Sequence, residues 1–190
     1  MTDSAESDEV LMQRYAGGEA AAFGTLFRRH ELRVWRYLER QVVNRSSAEE
    51  VMQEVWFAVA RDAVHFERHS CFSAWLFTIA RNRMIDYSRR HRLHLSLDSL
   101  GYEAQAVVQQ LTTEPSVGPL AAVVLEEQAQ ALKQALRQLP QEQRDAFLLQ
   151  IEGDLSVEEV AAITGASFET TKSRLRYARL KLRELLREYA

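Results

Sequence analysis

The chain has 190 residues, 46% of them hydrophobic, a formal net charge of −3 and one cysteine, and no apolar run approaches the roughly 20 residues that cross a bilayer. That composition supports real hydrophobic cores and excludes an internal disulfide, a helical membrane span and a polycation that coats nucleic acid indiscriminately. The acidic start, Met1-Thr2-Asp3-Ser4-Ala5-Glu6-Ser7-Asp8, lacks the basic and apolar parts of a secretory signal, so a cytoplasmic location without membrane insertion is expected.

Ser7 can cap a short helix through Val10-Leu11-Met12 that Gly17-Gly18 stops. A long helix follows, in which Phe23, Leu26, Phe27, His30, Val34, Tyr37, Leu38 and Val42 keep i, i+3, i+4, i+7 spacing. Arg28, Arg29, Arg33, Arg36 and Arg40 lie mostly off that stripe, and His30 on it reads as a core histidine rather than a ligand. Asn44-Arg45 turns the chain. Ser47, with Glu50 three residues on, reads as a capping box opening a third helix whose Val51, Val55, Trp56 and Val59 face inward. Its other side carries Glu49, Gln53 and Glu54, either a solvated face or a docking surface for a basic partner.

Between Val64 and Ser73 the pattern breaks into a loop containing Phe66, Arg68, His69, Ser70, Cys71 and Phe72. His65, His69 and Cys71 have no second Cys/His pair, so neither a metal nor a cofactor is expected. Aromatic, polar and cationic side chains this close together suit stacking on, and hydrogen bonding to, a displaced base. A fourth helix, Ala74 to Arg90, combines Trp75, Leu76, Phe77, Ile79, Met84 and Tyr87 with Arg81, Asn82, Arg83, Asp86, Arg89 and Arg90. Trp75 and Ile79 are expected in the core. Asn82 and Asp86 lie one turn apart among arginines, which puts hydrogen-bonding groups and phosphate contacts on one exposed strip.

From 93 to 122 the periodicity fades through Ser96-Leu97-Asp98-Ser99-Leu100-Gly101 and Thr112-Thr113-Glu114-Pro115-Ser116-Val117-Gly118-Pro119, which reads as a linker. Helix resumes with Leu125, Leu132, Leu136 and Leu139, breaks at Pro140 and continues with Phe147, Leu148 and Ile151 before Gly153. Ser156, with Glu159 three residues on, then opens a short helix carrying Val157, Val160 and Ala161; Gly165 can end it in the left-handed conformation and Ser167 can cap the next. In that last helix Phe168, Thr171, Leu175, Ala178, Leu182 and Leu185 form an apolar seam. Thr170, Lys172, Ser173, Arg174, Arg176, Tyr177 and Arg179 face outward, cations mixed with short groups that reach base edges in a major groove about 12 Å wide. From Phe168 to Ala190 seven cations meet three anions, a local charge of +4. This is a DNA-reading helix-turn-helix pattern. No segment reads as a strand, so the fold class expected is all-α, two small helical domains at 1–92 and 123–190 joined by a flexible linker at 93–122.

The run Leu139-Pro140-Gln141-Glu142-Gln143-Arg144, then Gly153-Asp154-Leu155-Ser156-Val157-Glu158-Glu159-Val160-Ala161 and Thr171-Lys172-Ser173-Arg174-Leu175, resembles region 4 of bacterial sigma factors. Ala48-Glu49-Glu50-Val51-Met52-Gln53-Glu54-Val55-Trp56, with Ala74-Trp75-Leu76-Phe77-Thr78-Ile79-Ala80-Arg81-Asn82 and Ile85-Asp86-Tyr87, resembles region 2. With only a short linker between them, the chain is similar to the extracytoplasmic-function (ECF) group of the sigma-70 family. The resemblance implies a transcription initiation factor, not an enzyme by itself, that binds the clamp and flap regions of core RNA polymerase and opens promoter DNA. It assigns Glu49, Glu50, Gln53 and Glu54 to the polymerase. Phe66, Arg68, His69, Ser70, Cys71, Phe72, Asn82, Arg83, Asp86, Arg89 and Arg90 go to minus-ten DNA, where a flipped base is captured. Thr170, Lys172, Ser173, Arg174, Arg176, Tyr177 and Arg179 go to the minus-thirty-five element. The linker is expected to thread toward the polymerase active centre and RNA exit path, and an anti-sigma factor is an expected partner.

The sequence departs from the group's pattern at Glu50, where aspartate is usual, and at Thr164 and Thr171, where apolar residues are common. Tyr177 stands where a cation is frequent, and Arg68-His69-Ser70-Cys71 replaces an acidic-glycine loop. On the residues alone, a stand-alone helix-turn-helix regulator, or an adaptor whose basic face binds protein, stays open beside the sigma-factor reading.

Overall fold

The computed structural model of the chain describes residues 6–67, 71–98 and 119–187, and for 92–98 and 119–126 the backbone alone. The described residues are helical, with short turns and no strand. They fall into two compact units, the described residues of 1–104 with 152–155 and those of 105–151 with 156–190.

The first unit holds α1 (Asp8–Ala16), α2 (Ala20–Glu39), α3 (Arg45–Asp62), a 3-10 turn (Ala63–His65) and α4 (Phe72–Asp98). Ser7 caps α1 as its position suggested, its Oγ accepting from the Val10 amide at 3.4 Å. The α2 stripe buries Leu26, His30, Val34, Tyr37 and Leu38. The start of α3 differs from the sequence reading. Asn44, not Ser47, is the cap, and its side chain accepts from the Ser47 amide at 2.8 Å. Ser47 lies inside the helix, buried, with its hydroxyl hydrogen-bonded to that of Tyr87 on α4. Both residues are good caps, and the tertiary partner took Ser47 inward.

In α4 the buried residues are Phe72, Leu76, Phe77, Ala80 and Met84, while Trp75 and Ile79 are only half-buried. Apolar side chains surround the first two turns of this helix, so spacing alone could not say which face packs. The helix also starts two residues earlier than expected and runs on to Asp98, because extending an existing helix requires no new nucleus.

The second unit holds α5 (Pro119–Arg137), α6 (Gln141–Gly153) as far as Ile151, α7 (Val157–Thr164) and α8 (Phe168–Leu185). Proline suits the first helical position, where its missing N–H has no partner to lose. The expected linker is therefore helical at both described ends, 93–98 and 119–122, and 99–118 lie outside the described residues. Leu136, Leu139, Ala146, Leu148, Leu149, Val160, Leu175, Ala178 and Leu182 are buried.

The α7–α8 turn is built from local chemistry alone. Ser156 Oγ accepts from the Glu159 amide at 3.2 Å, and the Glu159 carboxylate accepts from the Ser156 amide at 2.8 Å. Gly165 ends α7 at φ 65°, ψ 27°, and Ser167 caps α8 by accepting from the Thr170 amide at 3.1 Å. A side chain at Gly165 would meet the left-handed strain that glycine avoids.

Candidate nucleic-acid interface

Helix α8 presents two faces of opposite character. Thr171, Leu175, Ala178 and Leu182 are buried, while Thr170, Lys172, Ser173, Arg176, Tyr177 and Arg179 are exposed and Arg174 is half-buried. Phe168, expected in the seam, is instead 42% exposed. It occupies the first position of α8, and the Lys172 ammonium lies 5.9 Å from its ring centroid. Two of the outward residues are already engaged: Thr170 Oγ1 accepts from Ser167 Oγ at 2.8 Å, and the Arg179 guanidinium donates to Gln150 on α6. Lys172, Ser173, Arg174, Arg176 and Tyr177 form the middle of the face, where cations alternate with short polar groups over about two turns. Such an arrangement attracts phosphate and can hydrogen-bond base edges.

In the first unit, the outer side of α3 exposes Glu49, Glu50 and Gln53, with Glu54 half-buried. Glu49 pairs with Arg45 at 2.7 Å one turn away. Glu54 accepts from Arg90 on α4 at 2.7 Å, so residues the sequence reading divided between polymerase and DNA meet here. On α4, Asn82, Asp86 and Arg89 are exposed, and Arg83 is half-buried, 3.9 Å from Asp86. The expected strip exists, with Arg90 turned toward α3.

Phe72 was expected in a loop open to a base, but it is fully buried and opens α4. Its ring lies 6.0 Å from Phe66, 6.0 Å from Trp75 and 5.1 Å from His30, and Phe66 lies 5.3 Å from Trp75. Phe72 is thus the floor of an aromatic cluster whose half-exposed members, Phe66 and Trp75, retain accessible surface. Cys71 is exposed, and Arg68, His69 and Ser70 lie outside the described residues. Among the described residues no group of three or more His, Cys, Asp or Glu could hold a metal ion, and no helix is long and apolar enough to cross a membrane.

The profile of Sigma-70 region 2 matches residues 26–94, and that of Sigma-70, region 4 matches residues 129–182. The chain is 34% identical over 190 residues to the "ECF RNA polymerase sigma factor RpoE" of Cereibacter sphaeroides, covering 97% of this chain and 98% of that one. The chain belongs to the ECF sigma factors. This sigma factor is also 33% identical over 181 residues to the "RNA polymerase sigma factor CarQ" of Myxococcus xanthus, covering 93% of this chain and 96% of that one. Among solved structures, it is similar to a sigma factor RpoE crystallised with the anti-sigma factor NepR from Bartonella quintana, at 28% identity and TM-score 0.70, covering 87% of this chain and 96% of that one. CnrH, solved with the cytosolic domain of CnrY, shares the fold at 24% identity and TM-score 0.68, covering 97% of this chain and 100% of that one. The chain is accordingly an alternative sigma factor for transcription initiation, a class of protein that binds core RNA polymerase and promoter DNA.

Two residues of this sigma factor escaped the sequence reading. Phe57 is 75% exposed on α3, one turn beyond Gln53 and Glu54. Its place off the Val51-Val55-Val59 stripe was the available signal. Glu9 on α1 accepts a hydrogen bond from the Phe72 amide at 3.1 Å, across 63 residues of chain, and no local pattern announces that partner. The Phe72 amide holds the Glu9 carboxyl below its ordinary range.

Proposed function

We propose that this sigma factor docks on the clamp of core RNA polymerase through Glu49, Glu50, Gln53 and Glu54, with Phe57 as an apolar anchor among them. Charged rims with an aromatic centre are what protein interfaces use. Residues 1–92 serve as the polymerase-binding and minus-ten domain, 93–122 as the linker, and 123–190 as the minus-thirty-five domain that also meets the flap. Lys172, Ser173, Arg174, Arg176 and Tyr177 read the minus-thirty-five duplex, with Thr170 and Arg179 at the margins. Phe66, Trp75, Asn82, Arg83, Asp86 and Arg89, together with Arg68, His69, Ser70 and Cys71, handle the opened minus-ten strand. The protein performs no catalysis itself and works in the bacterial cytoplasm. An anti-sigma factor holds it inactive, by analogy with the NepR-bound relative.

The observation that supports this most is the one-sided α8 face, basic and hydrogen-bonding outward, opposite the buried Thr171, Leu175, Ala178 and Leu182. Run-off transcription with core polymerase and Arg174→Ala or Arg176→Ala tests it. An arginine in bidentate contact with a base contributes on the order of 1–3 kcal/mol, so promoter-specific activity should fall about 5- to 150-fold. Full activity of both variants at every cognate promoter would remove these residues from the assignment.

A further inference from the structure

At the amino end of α4, neither Cys71 nor Phe72 carries a side-chain oxygen that could cap the helix. Cys71 supplies the first carbonyl, accepting from the Trp75 amide at 3.1 Å, but offers no side-chain oxygen to the free amides that follow. The Phe72 amide is satisfied from α1, by Glu9 Oε1 at 3.1 Å. The residue before Glu9 grips the same junction from another side: the Asp8 carboxylate meets His30 Nε2 at 2.5 Å and Arg29 at 2.7 Å. The His30 ring in turn lies edge-on to Phe72 at 5.1 Å. Consecutive acids of one short helix therefore fix the first residue of α4 through its backbone and through its ring's neighbour. Phe66 and Trp75 rest on that ring.

We propose that Glu9 is a positioning residue for minus-ten DNA: by capping α4 from α1 it holds Phe72, and with it the Phe66–Trp75 pair, in the pose that receives an unpaired base. The proposal rests on the minus-ten reading above. Glu9 touches no DNA in this account. A carboxylate also complements the positive end of α4, so both its charge and its reach contribute. Stacking a base on an aromatic face depends on where that face is held, and a ring free to swing gives up part of that contact.

The test uses the holoenzyme formed by the full chain and core polymerase, with a fluorescent single-stranded oligonucleotide carrying the minus-ten non-template sequence. Glu9→Ala should weaken oligonucleotide binding about fivefold, the size expected for losing a helix cap, with affinity for core polymerase unchanged. Glu9→Gln, which keeps the acceptor oxygen, should recover most of that loss, as a merely bulky or buried role would not require. If Glu9→Ala fails to fold, Glu9→Asp takes its place, retaining the charge with too short a reach: weaker binding supports the proposal and wild-type binding overturns it. Phe66→Ala separates the two readings. Should Phe66→Ala bind the oligonucleotide like wild type, the minus-ten reading itself fails. Weakening by Phe66→Ala with none by Glu9→Ala overturns the positioning role alone.

Discussion

Thr171 sits fully buried in the helix-turn-helix seam, and its hydroxyl has no hydrogen-bond partner. Thr164 resolves the same problem differently, donating to the Val160 carbonyl at 2.8 Å inside its own helix. An unsatisfied buried hydroxyl costs about 1–3 kcal/mol, and valine has the same shape without it. Thr171→Val should raise the urea midpoint of the second unit by the equivalent of about 1 kcal/mol with the slope unchanged. A lower midpoint would mean that the hydroxyl has a role in the fold. The Glu54–Arg90 pair belongs to the opposite case, because it is partly exposed, at 30% and 51%, and screened by water. Glu54→Gln should leave the unfolding midpoint nearly unmoved while weakening affinity for core polymerase, which a titration with labelled core can measure. Unchanged core affinity would take Glu54 out of the docking surface.

Helix α1 is held by ionised carboxylates. Asp8 lies below its ordinary value mainly through the hydrogen bond with His30, with Arg29 adding to it and partial burial opposing. Glu9 is lowered first by the Phe72 amide. A carboxyl depressed in the folded state contributes stability that is fully present above its unfolded value, near 4, and lost as pH falls through the folded value. The docking of α1 should therefore be constant from neutral pH down to about 5 and loosen below about 4, ahead of α7–α8. Hydrogen exchange on α1 and α4 amides against pH would show this, and protection that stayed flat to pH 3 would contradict it. In the second unit, Ser156→Ala removes one half of the α7 capping box and should cost about 1 kcal/mol in a denaturant titration. These two elements also mark what the sequence made legible. The α7–α8 turn was readable because each partner lies within a few residues: Ser156 with Glu159, Gly165 at the helix end, Ser167 with Thr170. The α4 start was not readable, because its cap comes from Glu9 on another helix. The packing of Leu76 and Phe77 in place of Trp75 and Ile79 was hidden by a run apolar on every side. Phe72 looked like a loop aromatic because nothing local distinguishes a base-stacking ring from one buried beneath His30 and Trp75.

At the scale of the whole molecule, the acidic α3 face and the basic α8 face suit different partners, which a net charge of −3 conceals. Each DNA reader is small, and mounting both on one polymerase makes the second contact effectively intramolecular. The chain alone should therefore bind promoter DNA weakly, and more so as salt rises, because its few phosphate contacts are the ones salt competes away. The most direct measurement is transcript start-site mapping with core RNA polymerase, in the presence and absence of the chain, on a library of promoter fragments. The chain should co-migrate with core and impose defined start sites, whose use Arg174→Ala or Arg176→Ala lowers about 5- to 150-fold. A chain that leaves core unbound, or binds it without giving it any start-site preference, would contradict this.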